Sequence, residues 1–222
     1  PPVALPFPEL RSRVDAAADS SQFNYHLQEL VGQFVERVEE GSAQLVDGVL
    51  DGAEEGYALR PEGTTLTRVI RAWTLSGEPT AGPFEVGTDC HFCSAPLEAE
   101  YANSIFMLRC PDCEYLYEYD LTPPGVVADE DAETLSRAGQ FLRDRRVAFA
   151  RGTCPQCAHA LDAAFVDPAE TGYPRPDRRS ALINWSCSNC GDRNYARVGE
   201  TVLREPEVVA FCHDRGLDVT RT

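Results

Sequence analysis

The chain has 222 residues, of which 43% are hydrophobic, and this is enough for one large domain or for two or three small ones. Its 36 acidic residues outnumber 20 basic residues, all of which are arginine, so the net charge is −16. No apolar run approaches the roughly 18 residues of a membrane-spanning helix, and no signal-peptide pattern opens the chain. We therefore expect a cytoplasmic protein with no membrane partner.

The acidic, lysine-free composition predicts a protein that works in molar salt. Carboxylates hold hydration water and counterions, and salt screens their mutual repulsion because the Debye length falls to about 3 Å at 1 M. We interpret the chain as a protein of a halophilic archaeon; the alternative is an ordinary acidic protein with biased codon usage. The chain opens with Pro1-Pro2 and no Met, from which we expect a trimmed N-terminus.

The first third of the chain predicts two helices. A short helix fits residues 8–14, a turn fits 15–19, and Ser20 is the candidate N-cap of a second helix. Four apolar residues fall on one side of that helix at 100° per residue and predict a core stripe: Phe23, Leu27, Leu30 and Phe34.

Two strands are predicted after the second helix, at residues 34–38 and 57–60. Helix, turn, helix and hairpin is the order of a winged helix-turn-helix domain. Val-Glu-Glu at 38–40 and Ala-Glu-Glu at 53–55 are each followed by Gly, as if a segment had been inserted between the wing strands. We expect a flexible acidic loop at about 41–55 that does not contact phosphates.

A third helix is predicted at residues 64–75, and it ends the N-terminal domain, which we place at 1–76. Its apolar side is expected to serve in dimerisation and consists of Leu66, Val69, Ile70 and Trp73. Glycine and proline are frequent just after this helix, so residues 77–89 are predicted to be a linker.

Eight of the nine cysteines form four Cys-x-x-Cys pairs: Cys90/Cys93, Cys110/Cys113, Cys154/Cys157 and Cys187/Cys190. Two neighbouring pairs joined by a hairpin present four thiolates in a tetrahedron, at distances that suit Zn²⁺. Alternating apolar and polar residues around each pair predict short strands. The sequence therefore predicts two zinc ribbons that hold two structural zinc ions.

The C-terminal domain is placed at residues 90–222. Its predicted parts are ribbon 1 at 90–122, a helix at 129–150, ribbon 2 at 152–203 and a terminal helix at 206–215. The helix at 129–150 is expected to pack across both ribbons, because neither ribbon is large enough to bury much apolar surface alone. The predicted fold class is α+β, with two small β ribbons joined by a helix.

Other uses of the cysteines fit less well. Disulfides need an oxidising compartment, a thioredoxin-like site needs one Cys-x-x-Cys in a βαβ unit, and common iron–sulfur clusters use other spacings. A catalytic zinc ion keeps an open position and usually has His or carboxylate ligands, whereas four sulfurs close the shell.

The cysteine pairs depart from a common zinc-knuckle pattern in one respect. Gly often follows the second Cys, where a left-handed backbone is needed, but only Gly191 fits this pattern. The other three places hold Ser94, Glu114 and Ala158, which puts the knuckle geometry in question. Three further residues are interpreted without a metal role: His91 and His159 as exposed loop residues, and Cys212 as a buried, inert thiol.

The segment Ser-Gln-Phe-Asn-Tyr-His-Leu at 21–27 resembles the recognition helix of ArsR-like winged-helix regulators. Together with the four cysteine pairs and the Pro-Phe-Glu-Val lead-in at 83–86, it makes the chain similar to a family of haloarchaeal ArsR-like transcriptional regulators with a cysteine-rich C-terminal half. The helix that precedes Leu-Pro-Phe in that family is missing here. The resemblance implies a homodimer that reads a pseudo-palindromic site in double-stranded DNA.

The candidate DNA contacts are Ser21, Gln22, Asn24, Tyr25 and Gln28 for bases, and Arg11 and Arg13 for phosphates. Most DNA-binding domains present basic patches, and this chain is acidic. In molar salt, however, counterion release adds little affinity, so hydrogen bonds to base edges must contribute more.

Three functions are open at this point. The first is a DNA-binding transcriptional regulator whose ribbons form a scaffold, an effector module or a protein-binding surface. The second is a zinc-ribbon adaptor that binds a protein or RNA without sequence-specific DNA binding. The third is an enzyme or a thiol-redox protein, and it is disfavoured because we find no Ser-His-Asp order, no phosphate-binding Gly loop and no His-Glu-x-x-His motif. We therefore expect that the protein is not an enzyme.

Overall fold

A computed structural model describes residues 4–14, 19–41, 43–46, 49–52, 55–74, 77–203 and 205–219. The chain divides into two compact units, Pro1–Ser76 and Gly77–Thr222. Both units combine helices with small antiparallel sheets, so the expected α+β class is confirmed. None of the helices in the described ranges combines the length and the apolar character needed to cross a membrane.

In its described ranges, the first unit contains three α-helices and four short strands. They are α1 (Phe7–Arg13), α2 (Ser20–Leu30), β1 (Val35–Val38), β2 (Ala43–Val46), β3 (Val49–Gly52), β4 (Gly56–Leu59) and α3 (Pro61–Thr74). Strand β1 pairs with β4, with Val35 opposite Leu59, and β2 pairs with β3. A bridge between Leu5 and Tyr57 adds a third segment beside β4.

Two expectations for this unit are wrong. Asp19, and not Ser20, caps α2, since its carboxylate accepts hydrogen bonds of 2.8 Å from the backbone N–H groups of Ser21 and Gln22. Within 41–55, the described residues include the β2–β3 hairpin where a flexible loop was expected. The turn expected at 15–19 lies outside the described residues except for Asp19.

The core of the first unit is thin. Ala4, Val38 and Ala58 form its buried cluster, and Leu27 is the one fully buried member of the predicted stripe. Leu30 remains 43% exposed, so the stripe prediction holds only in part. A Cβ atom at Gly63 would lie 2.1 Å from the carbonyl oxygen of Phe34, so the close approach of α3 to that segment requires glycine.

Among its described residues, the second unit contains two sheets and three α-helices. The first sheet has the order β5-β6-β7-β8, with β5 (Ala81–Asp89), β6 (Pro96–Ala102), β7 (Ile105–Arg109) and β8 (Leu116–Leu121). The second has the order β11-β10-β9, with β9 (Asp162–Val166), β10 (Leu182–Ser186) and β11 (Arg193–Arg197). The helices are α4 (Asp131–Ala150), α5 (Val198–Val202) and α6 (Pro206–His213).

The prediction of a linker at 77–89 is wrong for most of its length. Residues from Ala81 onward form β5, the edge strand that pairs with β6. Pro83 is tolerated there because the register shifts between Ala81 and Phe84, where a missing N–H disrupts little pairing. Phe84 and Val86 pack against the core of the first sheet, and this burial favours a strand over a free linker.

Helix α4 packs against both sheets, as expected from the sequence. Ala138 and Leu142 belong to the core cluster of the first sheet, together with Tyr101 and Phe106. Seven residues further on, Phe149 packs with two residues of the second sheet, and their cluster is Phe149, Trp185 and Ala196. The helix begins at Asp131 and ends at Ala150, close to the predicted 129–150, while α6 is two residues shorter than the predicted 206–215.

Candidate metal centres

The first four-cysteine group lies beside the first sheet. The pair Cys90/Cys93 follows β5, and the pair Cys110/Cys113 follows β7. The Sγ atoms of Cys90 and Cys113 are 3.7 Å apart, and those of Cys93 and Cys110 are 3.4 Å apart. All four sulfurs lie within 4.8 Å of one another.

The second group repeats this arrangement beside the second sheet. The pair Cys154/Cys157 precedes β9, and the pair Cys187/Cys190 follows β10. Both closest distances, from the Sγ atom of Cys154 to that of Cys190 and from that of Cys157 to that of Cys187, are 3.5 Å.

The sulfur spacing fits a tetrahedral metal site and is too long for disulfides. Four ligands at a Zn–S distance of about 2.3 Å place the sulfurs of a tetrahedron about 3.8 Å apart, whereas a disulfide joins two sulfurs at about 2.05 Å. All eight cysteines are free thiols. Within the described part of the chain, the two groups of metal-ligating side chains consist of cysteine alone. Each could hold one Zn²⁺ with a closed shell.

The backbone at the four knuckles settles the question raised by the missing glycines. The residue after the second Cys has a positive φ in every case: 62° at Ser94, 59° at Glu114, 59° at Ala158 and 78° at Gly191. This left-handed conformation lets the amide of that residue bond back to the first Cys carbonyl, as from Ser94 to Cys90 at 2.8 Å. The knuckles therefore have the expected shape without the expected residue.

A tyrosine supports the first group. The Tyr117 hydroxyl lies 3.2 Å from the Cys90 Sγ atom and accepts a hydrogen bond of 2.9 Å from the backbone N–H of His91. A hydroxyl that accepts from the backbone is free to donate its own proton to the sulfur. Tyr115, Tyr117 and Tyr119 recur at strand spacing, but this spacing does not predict the contact, which depends on the turn after Cys90.

A buried ion network supports the second group. The Asp192 Oδ2 atom lies 4.0 Å from the Cys154 Sγ atom, and Arg145 Nη2 donates to Asp192 Oδ1 at 3.1 Å. The same guanidinium lies 4.0 Å from Asp120 Oδ1, at the end of the first sheet. Arg145 on α4 therefore connects the second cysteine group with the first sheet.

The thiols within the first group differ in acidity. Burial opposes the ionisation of Cys90, but hydrogen bonds from the Tyr117 hydroxyl and from backbone N–H groups outweigh it and lower the pKa of Cys90 to about 6. A backbone hydrogen bond at Ala95 favours ionisation of Cys93, yet the hydrogen bond with Cys110, burial and the remaining thiols raise the pKa of Cys93 to about 12. A bound dication favours the thiolate form of every ligand, so the four thiols of the group can all be ionised together.

The remaining metal candidates lie outside both groups. His91 and His159 are exposed, as interpreted from the sequence. Cys212 also belongs to neither group, but it is only half-buried, so the expectation of a buried thiol is wrong. On α6, Phe211 is 56% exposed because its ring packs against the Arg215 guanidinium and not against a core.

The candidate DNA contacts lie on and beside α2. Ser21, Gln22, Asn24 and Tyr25 are exposed, and the Tyr25 side chain is 61% exposed. Gln28 differs from them, since its amide contacts Tyr57 and Arg37 within the unit.

The two arginines proposed to contact phosphates are already engaged. Arg13 Nη2 pairs with Glu9 Oε1 at 2.5 Å. The Arg11 guanidinium lies 5.7 Å from the centre of the Phe23 ring.

Comparison with known proteins yields two family matches. A family described as a domain of unknown function (DUF7347) matches residues 2–70, which lie in the first unit. Another, described as a domain of unknown function (DUF7351), matches residues 87–222, which include both cysteine groups. No curated protein and no solved structure matches the chain. Since the second match covers more than half of its length, the chain belongs to the DUF7351 family.

Proposed function

We propose that this protein is a DNA-binding transcriptional regulator of a halophilic archaeon. Its first unit acts as a winged helix-turn-helix, and two structural zinc ions stabilise its second unit. The observation that carries the proposal is the polar, exposed face of α2 next to a paired β1 and β4. In a winged helix, the corresponding helix reads the major groove while the hairpin lies beside it. The resemblance of residues 21–27 to an ArsR-like recognition helix supports the same function.

The side chains on α2 favour contacts to bases. Gln22 and Tyr25 are exposed, and both can exchange hydrogen bonds with base edges in the major groove. Gln28 is held by Arg37 Nη2 at 3.0 Å, so it orients the helix against the hairpin more than it contacts a base.

The net charge of the first unit is unusual for a DNA-binding domain. Residues 1–76 contain twelve acidic residues and six arginines. Such a unit repels phosphates in dilute buffer, but molar salt screens this repulsion to within a few ångströms. Binding in molar salt therefore depends on base contacts and shape, and it should be selective for sequence or absent.

The apolar side of α3 supports a homodimer. Leu66, Val69 and Ile70 are exposed in the single chain, although they form one side of the helix. Covering such a side with the same helix of a second chain buries it symmetrically. A two-fold dimer would match a pseudo-palindromic site in double-stranded DNA.

A zinc-ribbon adaptor is the second candidate function. The acidic first unit favours it, and so does the Phe165 side chain on β9, which is 75% exposed. An exposed aromatic residue on an edge strand is suited to contact a protein partner. RNA stacking is less favoured, because Tyr115, the first of the three alternating tyrosines, is buried.

A selection experiment separates the two functions. The full chain, zinc-loaded and in about 2 M KCl, is mixed with random double-stranded DNA and with fragments from upstream of its own gene. A regulator retains one sequence selectively, and Gln22→Ala with Tyr25→Ala abolishes retention while thermal unfolding stays unchanged. Gln33→Ala, an exposed glutamine beyond the end of α2, is the matched control and retains the same sequence. If the folded protein selects no DNA sequence, the regulator is rejected and the adaptor becomes the favoured function.

A further inference from the structure

A polar cavity lies between the two sheets of the second unit. Its volume is about 40 Å³, which holds a few water molecules or one small oxyanion. It is lined by residues of β8, α4, the loop that precedes β10, β10 itself, β11 and α5. Three of them are arginines, Arg146, Arg179 and Arg197, and two are glutamates, Glu118 and Glu200. One net positive charge therefore faces a cavity inside a strongly acidic protein.

The glutamates neutralise two of the three arginines. Arg146 pairs with Glu118, and Arg197 pairs with Glu200, whose Oε1 atom lies 2.7 Å from the Arg197 Nε atom. Arg179 has no carboxylate within ion-pair distance among the described residues. Burial lowers the pKa of Arg179, but arginine keeps its charge at neutral pH. The cavity thus contains a partly desolvated cation that has no direct ion pair among the described residues, although the charge of Glu200 acts on it from further away.

Arg179 is held in position for an anion. Its Nη2 atom donates to the carbonyl of Leu116 at 2.7 Å, and its Nε atom donates to that of Pro174 at 3.2 Å. The guanidinium lies between the rings of Tyr115 and Tyr173, at 4.5 and 4.8 Å from their centres. Of its five N–H donors, two are used in these bonds and three remain. A rigid fork of this kind is suited to bind an oxyanion.

Asn194, which also lines the cavity, contains a buried polar atom that requires a donor. Asn194 Nδ2 donates to Asp120 Oδ2 at 3.2 Å, and this bond fixes the orientation of the amide. The Asn194 Oδ1 atom is buried and accepts no hydrogen bond from any described residue. A ligand that satisfies both groups must accept hydrogen bonds from a guanidinium and also donate one. Phosphate near neutral pH does both, whereas acetate and sulfate only accept.

We propose that this cavity binds a phosphate group, either as inorganic phosphate or as part of a small metabolite. A second cavity of about 330 Å³ lies between α4 and α5 and shares Arg146 and Glu200 with the first. This space can hold the organic part of a phosphorylated metabolite. Binding here does not depend on DNA binding by the first unit.

Phosphorus-31 line broadening tests the proposal directly. Inorganic phosphate is titrated into the zinc-loaded full chain in about 2 M KCl, without DNA, so that the outcome is independent of the regulator proposal. The wild type should bind phosphate saturably, and Arg179→Gln should weaken binding roughly ten- to a hundredfold. The matched control is Arg178→Gln, because Arg178 lies over the Phe92 ring outside the cavity, and this variant should bind like the wild type.

Competition experiments identify the ligand class. Acetate and sulfate should displace phosphate only weakly, and a small phosphate monoester that displaces it more strongly would indicate a metabolite as the natural ligand. Equal competition by sulfate, absence of saturable binding, or undiminished binding by Arg179→Gln would overturn the proposal. If Arg179→Gln does not fold, Tyr195→Trp fills the cavity without removing a charge and should abolish binding.

Discussion

The residue that follows each Cys-x-x-Cys pair has a left-handed backbone, although only one of the four is glycine. A side chain in this conformation costs roughly 1 kcal/mol, because its Cβ atom crowds the neighbouring carbonyl. Ser94, Glu114 and Ala158 carry that cost, and Gly191 does not. The knuckles therefore tolerate local strain, which the four-sulfur geometry outweighs.

Exchanging alanine and glycine at these positions should change stability in opposite directions. Ala158→Gly relieves the strain and should raise the free energy of unfolding, while Gly191→Ala should lower it, each by about 1 kcal/mol. Apart from the chain neighbours of Gly191, no heavy atom of the described residues lies within 4 Å of a Cβ placed there, so the effect is conformational and not a clash. Urea unfolding of the zinc-loaded protein in molar KCl measures both changes.

Gly199→Ala is the control for this pair, because Gly199 also has open space around it but lies in α5 without a positive φ. It should change stability little or increase it. A loss for Gly199→Ala as large as that for Gly191→Ala would contradict the conformational explanation.

Tyr117→Phe should weaken zinc binding in the first group by roughly tenfold, because hydrogen bonds to a ligand sulfur tune metal affinity. The change removes only the hydroxyl that lies 3.2 Å from the Cys90 Sγ atom. Competition with a chromophoric chelator gives the affinity of each site. Tyr119→Phe, at a residue that is 49% exposed, serves as the control and should leave both affinities unchanged. Equal affinities in the wild type and Tyr117→Phe would show that the hydroxyl does not act on the sulfur.

At the scale of elements, α4 connects the two sheets through apolar contacts at both ends and through Arg145 near its C-terminus. Arg145 is buried between Asp120 and Asp192. Burial raises the pKa of Asp120 against the lowering effect of Arg145, so this carboxylate depends on its cation for its charge.

Removing the Arg145 side chain should therefore destabilise the second unit strongly. Arg145→Ala leaves two partly buried carboxylates without a cation, and removing one partner of a fully buried ion pair costs roughly 3–5 kcal/mol, which is the upper limit expected here. Arg143→Ala, two residues earlier on the more exposed side of α4, should cost much less. Chemical denaturation of the second unit, followed by Trp185 fluorescence, measures the difference. Similar losses for the two variants would mean that the ion network contributes little.

The elements differ in how far sequence alone predicted them. The apolar periodicity of residues 129–150 predicted helix α4, and the spacing of the cysteines predicted the four knuckles. Both patterns depend on residues that are close in sequence. Strand β5 was not predicted, because Gly82 and Pro83 are typical of loops, and its pairing with β6 is a tertiary contact. The cavity around Arg179 was also missed, since its lining comes from four separate segments.

At the scale of the whole molecule, we expect the net charge to determine how stability depends on salt. A net charge of −16 on 222 residues destabilises the compact state by self-repulsion unless salt screens it. The midpoint of thermal unfolding should therefore be higher in about 3 M KCl than in about 0.1 M KCl. Differential scanning calorimetry of the zinc-loaded chain at constant pH measures this shift. Equal midpoints would contradict the assignment to a halophile.

The two units differ in the interactions that stabilise them. The first has a thin core, whereas the second has two cysteine groups in addition to its apolar clusters. Small sheets of this size usually require a metal or disulfides to be stable. We therefore expect the geometry of the second unit, including the cavity around Arg179, to depend on the two proposed zinc ions.

The metal content of the purified full chain tests most directly whether the two zinc ions are present. Plasma mass spectrometry should give two zinc ions per chain, one after Cys90→Ser with Cys93→Ser, and still two after Cys212→Ser. Fewer than two zinc ions in the folded wild type, or iron in their place, would contradict the account of two structural zinc ribbons.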